Sequence, residues 1–236
     1  MGGALAIKTA FLGRVPYERA YELQKALLEE ISGETTGRIT GCVLFLEHDP
    51  VITLGRSGAW EHLLKPLREI EKSGITVLET DRGGDITAHY PGQLITYPIM
   101  PLEAAGRNIH AYLRMLEETG IKAAAHYGIR AARRKGLTGV WVGRRKIMAV
   151  GLGFRRWVSY HGSAFNVWKD GGIFDLVVPC GLHGEGVTSV EELTGAAPPL
   201  AEAAAIMREC FEAVFDVETM ETPAEEIWAA ATRAGL

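Results

Sequence analysis

Residues 139–167 read GVWVGRRKIMAVGLGFRRWVSYHGSAFNV. Two β-rich runs, GVWV and KIMAVGLGF, flank Gly143-Arg144, and that spacing predicts a hairpin. WVSYHG (157–162) and SAFNVW (163–168) carry on as further strand runs, with no helical period between them. A parallel sheet needs a long crossover, usually a helix, between successive strands. This stretch therefore argues against a doubly wound architecture. Outward from it, CVLFLEH (42–48) and VITL (51–54) are apolar runs of strand length split by Asp49-Pro50, and ITVLET (75–80), QLITYPIM (93–100) and residues 5–12 read as further strands. Tyr17, Ala20, Leu23, Leu27 and Ile31 keep helical spacing behind Pro16. Helical patterns also cover 107–127, weakened by Gly120, then 199–215 and the segment after Thr222-Pro223. WEHLLKPLREIEKSG (60–74) is helix-like, and Pro66 must end or kink it. The expected fold class is α+β, a mixed β-sheet with flanking helices in a single domain over 1–236.

Composition narrows the function. Of 236 residues, 47% are hydrophobic and 23% charged, so a sizeable core is available. The net charge of -4, without a long basic stretch, argues against nucleic acid as a partner. The cluster Arg130, Arg133, Arg134, Lys135 with Arg144, Arg145 and Lys146 is a local exception that suits an acidic protein surface. No apolar run approaches the roughly 20 residues of a membrane span, and the opening stretch lacks the apolar core of a secretory peptide. Three scattered cysteines fit a reducing compartment better than a disulfide framework. A soluble, cytoplasmic protein without membrane contact is expected.

Among the cysteines, Cys42 and Cys210 lie in apolar strand and helix patterns and read as core residues. Cys180 stands apart. It ends the apolar run FDLVVP and precedes Gly181, which presents a thiol at an edge. Lys146 opens the apolar strand KIMAVG, so its ammonium can lie against the sheet and exchange protons there. His48 closes a strand, and His89 and His161 sit among glycines and aromatics. His62, His110, His126 and His183 lack a supporting pattern. No His-x-x-x-His spacing occurs, and no metal is expected. Walker, dinucleotide and serine-elbow patterns are absent as well.

RGGDITAHYPGQ (82–93) places an arginine, a histidine and three glycines within twelve residues. Such a loop lets backbone approach a ligand closely. Four stretches together resemble the lipoyl(octanoyl) transferase family, also called lipoate-protein ligase B: FLEHDPVITLGR (45–56), RGGDITAHYPGQLITYP (82–98), residues 139–167 and PCGLHGEGVTSV (179–190). They match in order and spacing over most of 40–195. The resemblance implies the fold of the biotin and lipoate protein ligase catalytic domain. It implies transfer of an octanoyl group from the phosphopantetheine arm of acyl carrier protein to a lysine of a lipoyl domain. The acceptors it implies are those of 2-oxoacid dehydrogenase complexes and the glycine-cleavage H protein, with no cofactor beyond the donor's own arm. It places the nucleophile on Cys180 and its activating lysine on Lys146. The acyl pocket falls on Arg82, Gly83, Gly84, Asp85, Ile86, Thr87, Ala88 and His89, on Ala149, Val150 and Gly151, and on Gly162, Ser163 and Ala164. Arg82 and His89 are expected to hold the loop by hydrogen bonds. Ala88 and Tyr90 depart from the family, which has an aromatic before that histidine and a glycine after it. Tyr90 is expected to line or cap the acyl site. The rival readings are an ATP-dependent lipoate or biotin ligase on the same fold, which needs no cysteine, and a non-catalytic lipoyl-domain binding module.

Overall fold

The computed structural model describes residues 7–33, 41–178 and 185–233. In chain order its strands are β1 (Ile7–Arg14), β2 (Gly41–Glu47), β3 (Val51–Leu54), β4 (Thr76–Glu79), β5 (Ile86–His89), β6 (Gln93–Ile99), β7 (Ala132–Arg134), β8 (Leu137–Val142), β9 (Arg145–Arg155), β10 (Val158–Asn166), β11 (Gly186–Val187) and β12 (Thr219–Glu221). Its helices are α1 (Tyr17–Gly33), α2 (Leu67–Lys72), α3 (Ile109–His126), α4 (Val190–Thr194), α5 (Leu200–Phe215) and α6 (Ala224–Arg233).

Nine of these strands form one mixed sheet in the order β12-β1-β2-β6-β10-β9-β8-β7, with β11 added alongside β9. The hairpin at Gly143-Arg144 joins β8 to β9, and Gly143 takes the left-handed φ of 60° that the turn needs. The runs WVSYHG and SAFNVW merge into the single strand β10, buried from Val158 to Asn166, which pairs with β9 over Val158–Phe165 and with β6 over Ser163–Asn166. A second sheet, β4-β3-β5, stands beside the first.

The apolar runs are continuous because both faces of the large sheet are covered. In β2, Val43 and Phe45 enter a core that includes Tyr112 and Leu116 of α3 and Phe211 and Phe215 of α5. Cys42, Leu44 and Leu46 enter the opposite core with Leu23, Leu27 and Ile31 of α1. Gly120 sits mid-helix for a packing reason. A Cβ there would come within 2.5 Å of Met148 on β9, so the glycine lets α3 approach the sheet. Pro66 splits the 60–74 pattern as expected: a 3-10 turn covers Trp60–His62 and α2 starts at Leu67. The small sheet has its own core of Ile52, Leu54, Ile70, Ile86, Ala88 and Tyr90. It delivers residues 82–84 onto the edge of β9.

Candidate active site

Residues 82–84 close over β9. Gly83 N donates to Leu152 O at 2.7 Å, and a Cβ on Gly151 would lie 2.9 Å from Gly83 O. A side chain at either position would wedge loop and strand apart. Arg82 is buried and works as a clamp: its Nη2 donates to Thr53 O at 2.6 Å, and its Nε to Thr53 Oγ1 at 3.0 Å. Beneath this contact lies a cavity of about 450 Å³, a size suited to a small ligand. Its wall takes Arg82, Gly83, Gly84, Asp85, Ile86, Thr87 and His89 from one side, Lys146, Ala149, Val150 and Gly151 from β9, and Gly162, Ser163 and Ala164 from β10. Gly162 is required at its place, because a Cβ would run into Thr96 O. Ala88 is the exception among the expected pocket residues. It lies in the small-sheet core and not in the cavity wall, on the face of β5 opposite to its neighbours Thr87 and His89.

Lys146 is 7% exposed, and its Nζ sits 4.8 Å from the centroid of the Trp141 ring. Cys180 lies outside the described residues, as do Gly181 and His183. The chain on both sides of it is anchored at the cavity. Upstream, Val178 N donates to His62 O at 2.8 Å, and the His62 ring lies 2.7 Å from the carboxylate of Asp85. Downstream, Gly186 and Val187 pair in parallel with Arg145 and Lys146, and Thr188 N donates to Lys146 O at 3.0 Å. Asn166 joins these pieces. Its Nδ2 donates to Thr188 O at 2.9 Å, so its Oδ1 accepts from Gln93 Nε2 at 2.9 Å. That leaves Gln93 Oε1 to accept the His89 Nδ1 proton at 2.7 Å. The histidine of the glycine-rich stretch is thus tied to the strand that carries Lys146.

The chain matches the Lipoyl protein ligase A/B catalytic domain family over residues 16–212. It is 40% identical over 204 residues to the octanoyltransferase of Maridesulfovibrio salexigens, covering 86% of this chain and 94% of that protein. It is 43% identical over 209 residues to the octanoyltransferase of Chloroflexus aggregans, covering 87% and 93%. The chain belongs to the octanoyltransferase family. It is an acyltransferase of octanoyl or lipoyl transfer. The fold agrees with a solved bipartite lipoate protein ligase from Thermoplasma acidophilum, described with its E2 lipoyl domain: TM-score 0.74 at 18% identity, covering 97% of this chain and 91% of that one. Among the described residues no helix is long and apolar enough to cross a membrane, and no cluster of His, Cys, Asp or Glu could hold a metal ion.

One expectation is corrected by the packing. Tyr90 does not line the cavity. Its hydroxyl donates to Trp168 O at 3.0 Å and its ring meets Phe174 edge-on inside the small-sheet core. Tyr90→Gly should therefore lower stability by roughly 3–5 kcal/mol and leave the ratio of octanoyl to decanoyl kcat/KM unchanged. Chemical denaturation and chain-length kinetics on one preparation check this. The basic cluster is also less available than its composition implies. Arg133 pairs with Glu117 and Glu118, Arg134 and Arg144 with Glu185, and Arg145 with Glu192. Much of its charge is already met by carboxylates of the same chain.

The cavity wall also contains side chains that sequence patterns did not single out: Tyr17, Tyr97, Trp141, and Ile109 and Leu113 of α3. With His89 and His161, the tyrosines belong to a buried polar layer. Tyr17 stacks on His89 and Tyr21 on His161. His48 Nδ1 donates to Val15 O at 2.7 Å, so its Nε2 accepts the Tyr97 hydroxyl proton at 2.8 Å. His161 donates to Asp81 at 2.8 Å, and this bond, joined by those from Tyr160 and Tyr21, holds the Asp81 carboxyl well below the usual range. Burial lowers His48 from 6.5 to about 4 and also depresses His89 and His161. A histidine with a depressed folded pKa binds its proton first in the unfolded state, so stability falls as pH drops through that window. For His48 the window runs from 6.5 to about 4, corresponding to on the order of 3 kcal/mol. Urea unfolding across this range should show a steep acid loss, and His48→Gln should flatten part of it. A pH-independent midpoint would contradict the assignment.

Proposed function

We propose that the octanoyl group arrives as a thioester on the phosphopantetheine arm of acyl carrier protein, is held on Cys180, and leaves as an amide on a lysine of a lipoyl domain. Acceptors of this kind are the lipoyl domains of 2-oxoacid dehydrogenase complexes and the glycine-cleavage H protein. The observation that carries the reading is the pairing of Gly186 and Val187, just downstream of Cys180, with Arg145 and with Lys146, which lines the cavity. In the first half-reaction the Cys180 thiolate attacks the thioester carbonyl. The bond from that carbonyl to pantetheine sulfur breaks, and Lys146 gives its proton to the departing thiolate. In the second, the acceptor lysine attacks the acyl-enzyme carbonyl as its neutral amine and the bond to Cys180 sulfur breaks. Neutral Lys146 takes the proton that the nitrogen sheds as the amide forms, so the Cys180 thiolate and the Lys146 ammonium both return. A free thiol with a pKa of about 8.5 is mostly protonated at neutral pH, so a nearby ammonium favours the reactive form.

A thioester-to-amide exchange is downhill and needs neither ATP nor a bound cofactor. Purified protein mixed with octanoyl-acyl carrier protein and a lipoyl domain, without nucleotide, should place octanoyl on one lysine of that domain. Transfer that appears only with free octanoate and ATP would replace this reading with the ligase one.

A further inference from the structure

The described residues place Trp141 at the junction of the two halves of the site. Lys146 Nζ and Arg134 Cζ each lie 4.8 Å from the centroid of its ring. Trp141 is 2% exposed and Lys146 is buried against it, while Arg134 covers the ring from the solvent side. Arg134 in turn grips Glu185 through two hydrogen bonds of 2.7 and 3.1 Å, and Glu185 leads directly into β11, which pairs with β9 at Lys146. One ring thus touches the lysine and the arginine that anchors the strand beside it.

The backbone is shaped for this contact. Val140 faces Met148 but Trp141 faces Lys146, so the β8–β9 ladder slips by one residue at this point. Such bulges re-aim side chains and recur beside active sites. Gly139, at φ 107°, lets β8 close onto β9 beside the lysine: a Cβ there would lie 2.5 Å from Met148 O, and the Lys146 stem packs over the same spot. The choice of indole is also telling. Trp141 Nε1 is buried without a hydrogen-bond partner among the described residues. An orphaned donor is unfavourable, and phenylalanine would avoid it. Tryptophan is the ring that attracts cations best, which gives a reason to keep it.

We propose that Trp141 is a positioning residue of the acyl transfer, holding the Lys146 ammonium at the cavity wall, with Arg134 and Glu185 bracing the ring from outside. The proposal rests on the assignment of proton transfer to Lys146. Nothing in it requires the ring to touch the acyl group.

The test compares Trp141→Phe, Trp141→Leu and Glu185→Gln in the full chain, using octanoyl-pantetheine as donor and a lipoyl domain as acceptor. Trp141→Leu should lower kcat by about tenfold, the order expected when a desolvated cation loses its ring. It should leave KM for the donor within about twofold and displace the pH–rate profile, which a merely structural role would not move. Trp141→Phe should recover most of the rate and the wild-type profile. Glu185→Gln should slow turnover, and combining it with Trp141→Leu should cost less than the product of the single losses. Equal losses in the Phe and Leu variants, an unmoved pH profile, or multiplicative losses would overturn the proposal. If Trp141→Leu does not fold, Trp141→Phe and Glu185→Gln carry the test: a displaced profile in Glu185→Gln with a wild-type profile in Trp141→Phe supports it, and an undisplaced one overturns it. Lys146→Met is run alongside. If that variant keeps wild-type kcat, the assignment to Lys146 has failed, a result distinct from any failure of Trp141.

Discussion

Cys180→Ser should abolish octanoyl transfer, with a fall of about a thousandfold or more, as for loss of a nucleophile elsewhere. A serine hydroxyl ionises far above a thiol, and a lysine ammonium cannot make it a useful nucleophile near neutral pH. The other cysteines supply the control. Cys42 is buried in β2 and burial pushes its thiol up to about 12. Cys210 is part-buried on α5, with its thiol also raised by burial. Neither is placed or poised to accept an acyl group, so Cys42→Ser and Cys210→Ser should retain the wild-type rate. Cys42→Ser should lose about 1–3 kcal/mol of stability, because a hydroxyl replaces a thiol in an apolar core. Mass analysis of the acceptor lysine reads transfer, and denaturation reads stability. Wild-type transfer by Cys180→Ser would remove the cysteine from the reaction.

Lys146→Met is the second large effect. Methionine keeps the stem that packs by Gly139 and lies against the Trp141 ring, but it carries no proton. Overall turnover should fall by about 10²–10⁴-fold, the usual worth of a positioned acid or base. The two half-reactions separate its roles. If the ammonium mainly favours the thiolate, alkylation of Cys180 at neutral pH slows in the variant. If it mainly moves protons, acylation persists and the acyl-enzyme accumulates when the lipoyl domain is added. Rapid-quench measurement of each step distinguishes them. An unchanged overall rate would contradict both roles.

The sequence was most readable where physical constraints are local. Hairpin glycines, strand-length apolar runs and the helical spacing of Tyr17, Ala20, Leu23, Leu27 and Ile31 all act over a few residues, and the elements appear where they predict. The glycine-rich stretch is informative for a similar reason: residues that bring backbone close together must lack a Cβ, as at Gly83 and Gly151. Long-range pairing was less readable. β11 is two residues long and carries no period, yet its register with Arg145 and Lys146 organises the site. Tyr90 was misplaced because a motif position does not say which face of a strand or turn it occupies. Arg133 and Arg134 read only as part of a basic patch suited to an acidic protein surface, because their partners within the chain, Glu117 and Glu185, lie 16 and 51 residues away. Trp141 gave no signal at all, since an aromatic in a strand is ordinarily core and its two cations meet it only after β7, β8 and β9 have paired.

Intact-mass analysis of wild-type protein with octanoyl-acyl carrier protein, the lipoyl domain withheld, addresses the covalent route itself. One octanoyl group should appear on the protein, map by peptide analysis to Cys180, and disappear when the lipoyl domain is added as the same group appears on its lysine. Turnover of the donor with no octanoyl on any cysteine would contradict the acyl-enzyme account.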